Sequence, residues 1–300
     1  QAEDGIRDVE RSRGLGDVYK RQILNQTTEF LTHHKLNTPR LDAEVLLAHV
    51  LNTNKTGLYL SLYSPVTEKE IKQLQKLISR RIKGEPVAYL IGQKEFWSLS
   101  FKVNSAVMIP RPQTETLIEE TLKVFPADSS PSILEIGTGS GAISVALAKE
   151  LPKAFIIATD ISPDALSVAR ENAYFHGVKS IKFIEGDLYD PIKYQRNSFD
   201  LIISNPPYIP RGEIPELPPG IRDYEPHIAI DGGSDGLEYH RKIAIGAHNY
   251  LKPGGCLLLE VGINQSERVS NIISQTGKFS PPKILKDLSN VERVVKAYKL

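Results

Sequence analysis

The chain has little cysteine, no long apolar segment and no excess of charge of either sign. Cys256 is the only cysteine among 300 residues, which excludes a disulfide framework within the chain. No stretch approaches the ~18 consecutive apolar residues of a membrane-spanning helix, and no charged and then apolar signal peptide opens the sequence. We therefore expect a protein of the reducing cytoplasm that has no membrane partner.

Charge is balanced, with 37 Lys and Arg against 36 Asp and Glu and a formal net charge of +1. Proteins whose main ligand is nucleic acid usually carry a basic excess or a basic face. The balance argues weakly against a nucleic-acid substrate and leaves a local basic patch open. The seven histidines show no spacing typical of metal ligands, so no metal site is predicted.

Residues 1–22 look foreign to the rest of the chain. They contain three glycines and ten charged residues and show no sustained apolar period. The run from Gly16 to Gln22 resembles translated adapter sequence, and a native disordered tail is the alternative. We predict that residues 1–22 are a non-native or disordered tail, and we exclude them from the fold.

From Ile23 onward, apolar residues recur at steps of three and four, which predicts amphipathic helices. Thr67, with Glu70 three residues later, has the pattern of a capping box that starts one of these helices. Gly84 ends it. Residues 23–88 are therefore predicted to form a small all-α domain, to which we assign substrate recognition.

A short segment after these helices changes period. Polar and apolar residues alternate from Trp97 to Val103, which predicts a strand. We expect this strand to be one arm of a β-hairpin, so that residues 89–108 form a hairpin linker between the helical domain and the remainder of the chain.

Residues 109–300 alternate between helix-like and strand-like segments after a first helix at about 114–124. Predicted strands lie at 133–136, 155–159, 181–185, 201–204 and 256–261. Predicted helices lie at 142–151, 163–176 and 237–251, and two closing strands lie at 283–288 and 291–298. This alternation predicts an α/β fold with a mostly parallel sheet that is covered by helices on both faces.

A glycine-rich loop joins the strand at 133–136 to the helix at 142–151. Its residues are Gly137, Thr138, Gly139, Ser140 and Gly141. Glycines here let the chain turn tightly and let a ligand approach the backbone without meeting Cβ atoms. Their spacing of two differs from the dinucleotide fingerprint, whose last two glycines are three apart. The loop therefore favours S-adenosylmethionine over a dinucleotide without deciding between them.

Acidic residues end the next two predicted strands. The carboxylate of Asp160 is placed to accept both hydrogen bonds of a ribose diol. Asp187 is placed to accept from the exocyclic amine of adenine, and Leu188 offers apolar contact to the ring; a solvated turn acid is the alternative for Asp187. We predict that these three residues and the glycine loop bind S-adenosylmethionine.

Asn205, Pro206, Pro207 and Tyr208 follow the strand at 201–204. In an open parallel sheet, ligands bind outside the carboxyl ends of the strands, and the two prolines stiffen the backbone. The Asn205 side-chain oxygen and the Pro206 carbonyl can accept both hydrogens of one planar –NH₂ group, which Tyr208 can cover by stacking. We predict that Asn205, Pro206 and Tyr208 are catalytic. All four residues are predicted to bind the substrate, and Asn205 also to contact the cofactor.

Several further segments have a distinctive composition. They are 40–44 (Arg-Leu-Asp-Ala-Glu), 84–86 with Tyr89 and Gly92, 95–97 (Glu-Phe-Trp), 109–112 with Thr114 and Glu115, 222–226 (Arg-Asp-Tyr-Glu-Pro), 232–237 and 292–295. With the glycine loop and residues 205–208, they make residues 23–300 resemble the HemK-type protein-(glutamine-N5) methyltransferases of the PrmC family, which act on peptide chain release factors.

The resemblance implies a helical amino-terminal domain, a hairpin linker and a seven-stranded, Rossmann-like class I methyltransferase domain. It implies that the glycine loop and Asp160 hold S-adenosylmethionine. It also implies that residues 205–208 hold the glutamine of a Gly-Gly-Gln loop in a release factor, a substrate of translation termination. The family often has Trp or Phe where this chain has Leu188, which implies a weaker contact to adenine. We expect a cytoplasmic monomer with this protein substrate.

Three other interpretations stay open. A glutamine methyltransferase of this kind can instead act on a ribosomal protein. An adenine-N6 nucleic-acid methyltransferase shares the Asn-Pro-Pro-Tyr motif, although it requires a basic target-recognition domain that the small, balanced helical segment does not provide. A non-catalytic binding module is disfavoured by the intact Asn205 and the intact glycine loop.

Overall fold

The computed structural model describes residues 18–300, and the chain forms two compact units that divide between Gly92 and Gln93. The sequence suggested a boundary at residue 88, followed by a hairpin linker over 89–108. The structure extends the helical unit to Gly92 and includes the hairpin in the second unit. Residues 1–17, most of the predicted tail, lie outside the described residues.

The first unit is helical. Its described residues form α1 (Lys20–His33), α2 (Pro39–Val50), α3 (Lys55–Leu60), α4 (Glu68–Arg81) and α5 (Val87–Ile91). Buried apolar side chains from all five helices pack into one core, for example Leu31, Leu47 and Leu58, which are fully buried. The predicted capping box starts α4, because Thr67 accepts a hydrogen bond from the Glu70 N–H and Glu70 accepts one from the Thr67 N–H.

The tail boundary predicted at residue 22 differs from the structure, in which residues 18–22 take part in the fold. Tyr19 forms a β-bridge with Pro65, and the Lys20 N–H donates to the Ser64 carbonyl at 3.0 Å. Helix α1 begins at Lys20. Its first turn is polar because it lies at the surface, so this turn lacks the apolar signal that marks the helix from Ile23 onward.

The acids of segment 40–44 join three helices. Asp42 is buried and its Oδ2 accepts a hydrogen bond from Arg81 Nε at 2.7 Å. Burial raises the pKa of Glu44, but hydrogen bonds from Lys55, Tyr59 and Arg40 outweigh it and lower that pKa to about 2. The segment therefore holds α3 and α4 against α2 through ion pairs whose carboxylates are buried.

The second unit contains a two-stranded hairpin and a seven-stranded sheet. The hairpin strands are β1 (Gln93–Phe96) and β2 (Leu99–Lys102). The sheet strands are β3 (Ser132–Ile136), β4 (Phe155–Asp160), β5 (Ile181–Glu185), β6 (Phe199–Ser204), β7 (Leu251–Glu260), β8 (Lys283–Lys286) and β9 (Glu292–Tyr298). Their order is β5-β4-β3-β6-β7-β9-β8, with β9 antiparallel to β7 and β8, and the first five strands mutually parallel. The predicted seven-stranded α/β fold is confirmed.

Helices cover both faces of this sheet. They are α6 (Glu115–Val124), α7 (Ala142–Glu150), α8 (Pro163–Phe175), α10 (Glu238–Tyr250) and α11 (Ser266–Gln275), whereas the four-residue α9 (Pro219–Arg222) buries no residue. One core joins α6, α7 and α8 to one face, and a second core joins α10 and α11 to the other. Alternate residues of each central strand enter alternate cores, as the period of two requires. Among residues 18–300, no helix is long and apolar enough to cross a membrane.

The strands of the hairpin have different bounds from the strand predicted at 97–103. Trp97 and Ser98 occupy its two-residue turn with φ of 52° and 55°, which is the geometry of a type I′ turn. The Trp97 N–H donates to Glu115 Oε1 at 2.7 Å and the indole N–H to Glu150 Oε1 at 2.8 Å. The alternation from Trp97 to Val103 covers the second strand, β2. This strand begins two residues later than predicted, because Trp97 lies in the turn and is anchored to α6 and α7.

The sheet reverses direction at its centre. From β3 the chain moves outward through β4 to β5, and it then returns to add β6 on the opposite side of β3. The side chain of Ser204, at the end of β6, donates to the carbonyl of Ile136 at the end of β3, at 2.7 Å. This switch point opens a crevice outside the carboxyl ends of β3 and β6, where open α/β sheets bind ligands.

Candidate active site

A cleft lies at the switch point and is formed within the second unit. Its empty space is about 1070 Å³ when the part that is open to solvent is included. It is lined by the glycine loop, by the ends of β4, β5 and β6, and by parts of the segments at 106–110 and 226–229. The predicted site residues that line it are Gly137, Thr138, Gly139, Ser140, Asp160, Asp187, Leu188, Asn205, Pro206 and Pro207.

The glycine loop presents its backbone to the cleft. Gly137 and Gly139 have φ of +73° and +54°, a region that strongly favours glycine. A Cβ atom at either position would have no atom of the described residues within 4 Å. The N–H groups of Gly137 and Thr138 donate to the Thr159 carbonyl at 2.9 and 3.0 Å. The loop is thus tied to β4 on one side and open to a ligand on the other.

Gly141 packs against a neighbouring helix, and its predicted contact with the cofactor stays a prediction. It does not appear among the residues that line the cleft, and with φ of +79° it caps α7. A Cβ atom there would lie 3.1 Å from the Cβ of Ala169 in α8. Its lack of a side chain lets α8 pack closely against the loop, so the structure supports a packing role at this position.

Asp160 holds the glycine loop and also faces the cleft. Its Oδ2 accepts from the Gly139 N–H at 2.8 Å and its Oδ1 from the Ser162 N–H at 3.0 Å. Burial raises the pKa of this carboxyl, while these backbone hydrogen bonds oppose the rise. A carboxylate offers about four acceptor positions, so Asp160 keeps acceptor capacity for a ligand, and its hydrogen bonds to a ribose diol stay a prediction.

Glu135 is a cleft residue that sequence reasoning missed. It is 1% exposed, and its Oε2 accepts from Thr138 Oγ1 at 2.8 Å and from both the N–H and the hydroxyl of Ser144. Its Oε1 is buried without a hydrogen-bond partner among residues 18–300. Burial raises the pKa of Glu135 to about 7. The available signal was an acid in the otherwise apolar strand β3, where an unpaired charge is costly unless it serves a ligand.

Asp187 and Leu188 follow β5 and line the same cleft. Leu188 has a φ of +45°, which is unusual for a residue with a side chain. The preceding Gly186 has no room for a Cβ, which would lie 2.5 Å from Pro191 Cγ. The turn is therefore fixed by packing, and it brings the apolar Leu188 beside the acid, as predicted.

Asn205 lies at the centre of the predicted substrate site, and one half of its side-chain amide is already engaged. Its Nδ2 donates to Thr114 Oγ1 at 3.3 Å, so its Oδ1 is directed elsewhere. Pro206 is buried and Pro207 half-buried, and both line the cleft. The structure thus brings three of the four predicted substrate-binding residues to the ligand space.

Tyr208 is the exception among these four. It is absent from the cleft lining formed by the described residues, and its carbonyl accepts from Gln265 Nε2 at 2.8 Å. Burial, together with the charge of Glu260, raises the pKa of its hydroxyl. A Cβ on Gly262 would lie 3.0 Å from its ring. These contacts hold the ring beside β7, so its stacking on a substrate stays a prediction.

Two further segments complete the cleft walls. No ligand role was predicted for these segments. They contribute Ala106, Val107, Met108, Pro110, Pro226, Ile228 and Ala229. An ion pair between Arg111 and the buried Glu225 joins the two segments. The pair could not be found from sequence because its partners are far apart along the chain.

The residues present fit S-adenosylmethionine. Asp160 offers acceptors for a ribose diol, and the open glycine backbone lets a ligand approach closely. The unpaired oxygen of Glu135 suits a cationic ligand, and S-adenosylmethionine carries both a sulfonium and an ammonium group. Ile161, which is 48% exposed, and Leu188 supply apolar surface for a base.

Comparisons with known families cover both units. Residues 22–92 match the PrmC N-terminal domain, and residues 127–288 match a methyltransferase domain. The first match begins at Gln22, within α1.

Individual relatives are similar over nearly the whole chain. The release factor glutamine methyltransferase of Geobacter sulfurreducens is 42% identical over 275 residues, which cover 92% of this chain and 95% of the relative. That of Chlorobaculum tepidum is 38% identical over 280 residues, covering 91% and 94%. Among solved structures, the release factor-specific protein-(glutamine-N5) methyltransferase of Alicyclobacillus acidocaldarius is 27% identical, with a TM-score of 0.39 over 66% of this chain and 99% of that chain.

Proposed function

The chain belongs to the release factor glutamine methyltransferase family, and we propose that it methylates the glutamine of the Gly-Gly-Gln loop of a peptide chain release factor. The methyl group comes from S-adenosylmethionine and the acceptor is the side-chain amide nitrogen. One observation carries the proposal at the level of the site. Asn205 and the glycine loop line one cleft, at the ends of the adjacent strands β6 and β3.

The chemistry requires an acceptor nitrogen to be aimed at an electrophilic methyl group. When bound, S-adenosylmethionine supplies that methyl on a sulfonium, and the sulfur leaves as a neutral thioether when the nitrogen–carbon bond forms. An amide nitrogen is a poor nucleophile because its lone pair is delocalised. Asn205 Oδ1 and the Pro206 carbonyl accept the two N–H hydrogens and thereby set the direction of the lone pair.

This arrangement assists mainly by positioning, a route that supplies up to ~7–11 kcal/mol in well-oriented systems. The two acceptor oxygens also complement the positive charge that develops on the nitrogen. That nitrogen becomes acidic once methylated, so its proton is lost to solvent without a dedicated base. Asn205 and Pro206 are therefore proposed as the catalytic residues, with Pro207 and Tyr208 completing the substrate site.

The remaining assignments follow from the same cleft. We assign cofactor binding to Gly137, Thr138, Gly139, Ser140, Asp160, Asp187, Leu188 and Asn205, with Gly141 supporting the loop. Substrate recognition is assigned to the helical unit, which carries the PrmC N-terminal match. The protein is proposed to act as a monomer on a protein substrate, without a nucleic-acid partner.

The test compares methyl acceptors directly. The protein is incubated with S-adenosylmethionine labelled on its methyl group and with a release factor, with the same factor carrying Gln→Ala in its Gly-Gly-Gln loop, with ribosomal proteins, or with DNA. We expect label only on the unmodified release factor. Label on DNA or on a ribosomal protein, or label that persists after the Gln→Ala change, contradicts the proposal.

A further inference from the structure

Glu260 is a buried acid that the proposed reaction does not yet use. It is 0% exposed and is the last residue of β7. Strands β6 and β7 are parallel with Ser204 level with Leu259, so the next residues, Asn205 and Glu260, end at the same level of the sheet edge. An acid is therefore buried beside the residue that is proposed to hold the substrate amide.

The carboxyl group of Glu260 is poorly satisfied. Within residues 18–300, neither of its oxygens has a partner at normal hydrogen-bond geometry. The side chains of Thr114 and Tyr208 oppose the rise in its pKa that burial causes. A buried carboxyl of this kind is costly to keep, which points to a role beyond packing.

Thr114 connects this acid to the site. It is 4% exposed, it lines the cleft, and its Oγ1 is the atom that accepts from Asn205 Nδ2 at 3.3 Å. A hydroxyl has one hydrogen to donate and lone pairs with which to accept. If the Thr114 hydrogen is directed to Glu260, only lone pairs face Asn205, and these pair with Nδ2 and not with Oδ1.

We propose that Glu260, acting through the Thr114 hydroxyl, fixes the side-chain amide of Asn205 so that its Oδ1 faces the substrate. The inference rests on the proposed function. With the amide reversed, the Asn205 NH₂ group would meet the NH₂ group of the substrate, and two donors cannot pair. Glu260 and Thr114 are thus positioning residues for methyl transfer, and Asn205 is the residue that touches the substrate.

We call the path from Glu260 through the Thr114 hydroxyl to Asn205 the relay. It depends on the protonation state of Glu260, because a neutral carboxyl can donate its own hydrogen to Thr114 and so reverse the direction of that hydrogen bond. Burial raises the pKa of Glu260 to about 7, against the opposing effects of Thr114, Arg293, Tyr208 and Arg111. Arg293 is paired with Asp287 and Arg111 with Glu225. From α10, His240 Nε2 donates to the Glu260 carbonyl at 2.8 Å, and burial lowers the pKa of His240 to about 4, so this side chain stays neutral. Turnover should therefore fall as pH decreases through about 7.

The first experiment removes the hydroxyl and keeps the shape. We expect Thr114→Val to lower kcat by about 10- to 100-fold, a loss on the scale of one misplaced polar group, with the Kd for S-adenosylmethionine changed less than about threefold. Thr114→Ser should restore most of kcat, because it keeps the hydroxyl. Thr116→Val is the matched control, since Thr116 is 6% exposed on α6 and is not among the cleft-lining residues. Wild-type kcat in Thr114→Val, or equal loss in Thr114→Ser, overturns the inference.

The second experiment tests the acid. kcat is measured from about pH 6 to about pH 8 at saturating cofactor, so that titration of Glu135 in the cofactor site does not limit the rate. We expect the wild type to lose activity toward low pH and Glu260→Gln to show a flat profile. A Glu260→Gln profile that still falls like that of the wild type overturns the relay.

A third readout does not depend on turnover. In side-chain amide NMR spectra, the Asn205 signal is identified by its absence in Asn205→Asp, and its hydrogen exchange should accelerate in Thr114→Val. Unchanged exchange contradicts the relay. If the wild type transfers no methyl group, the proposed function is contradicted and the relay is not. The hydrogen-exchange measurement then still tests the relay.

Discussion

At the residue scale, the proposed reaction depends most directly on Asn205. We expect Asn205→Ala to lower kcat by about 10²- to 10³-fold, the loss typical of removing one preorganised polar group. Cofactor affinity should change little, because Asp160 and the glycine loop supply most of the proposed contacts. Single-turnover methyl transfer and calorimetric titration with S-adenosylmethionine measure the two quantities separately. Near-normal turnover in this variant contradicts the role assigned to Asn205.

Local chemistry made part of the site predictable from sequence. Gly137, Gly139 and Asp160 could be placed in the cleft because strand, turn and helix patterns surround them. Glu135 carried only a weak signal, a single acid in an apolar strand. Thr114 has no motif of its own for this role, because its importance lies in a contact with Asn205, 91 residues away.

Other contacts in the cleft share this limit. The Arg111–Glu225 pair spans 114 residues, and Glu260 approaches Asn205 only because β6 and β7 pair in parallel. The tertiary fold brings such partners together, so their spacing along the chain does not predict the contact.

At the element scale, length and periodicity decided what could be predicted. The helices at 142–151 and 163–176 have enough turns to show their period, and they match α7 and α8 within one or two residues. Helices α3 and α5, with six and five residues, are too short to show one. Helix α11 was missed because its ten residues contain only three large aliphatic ones, at positions 269, 272 and 273.

The first turn of α1 gives a prediction at this scale. A chain that begins at Ile23 should unfold at a lower temperature than one that begins at Val18, because it lacks the Tyr19–Pro65 bridge and the hydrogen bonds from Lys20 and Arg21 to the segment at 62–64. A loss of about 1 kcal/mol in the free energy of unfolding lowers the Tm of a domain as small as the helical unit by roughly 4–8 °C.

Differential scanning calorimetry of the two truncated chains measures this difference. Both chains lack residues 1–17, so the comparison isolates residues 18–22. Equal melting temperatures would show that these five residues do not contribute to the fold, and would restore the tail boundary that the sequence suggested.

At the scale of the whole molecule, each compact unit has its own core. The core of the helical unit contains residues only up to position 91, and the two cores of the sheet unit begin at Phe96. All residues proposed to contact cofactor or substrate amide lie in the second unit. The chain therefore separates the chemistry of methyl transfer from the unit to which we assign recognition of the release factor.

This separation predicts the behaviour of the isolated second unit, Gln93–Leu300. We expect it to unfold cooperatively and to bind S-adenosylmethionine with a Kd within about threefold of that of the full chain, because its cores and its cleft are complete. Its kcat/KM for a release factor should fall by about 100-fold or more, since binding energy from remote parts of a substrate is lost with the helical unit.

A short peptide that contains Gly-Gly-Gln provides the control, because it is too small to use a separate recognition unit. Both the full chain and Gln93–Leu300 should methylate this peptide slowly and at similar rates. An unchanged kcat/KM for the intact release factor would show that the helical unit does not recognise it. If Gln93–Leu300 fails to fold, its cores require the helical unit. The difference between the full chain and Gln93–Leu300 in the rate of peptide methylation then measures that dependence.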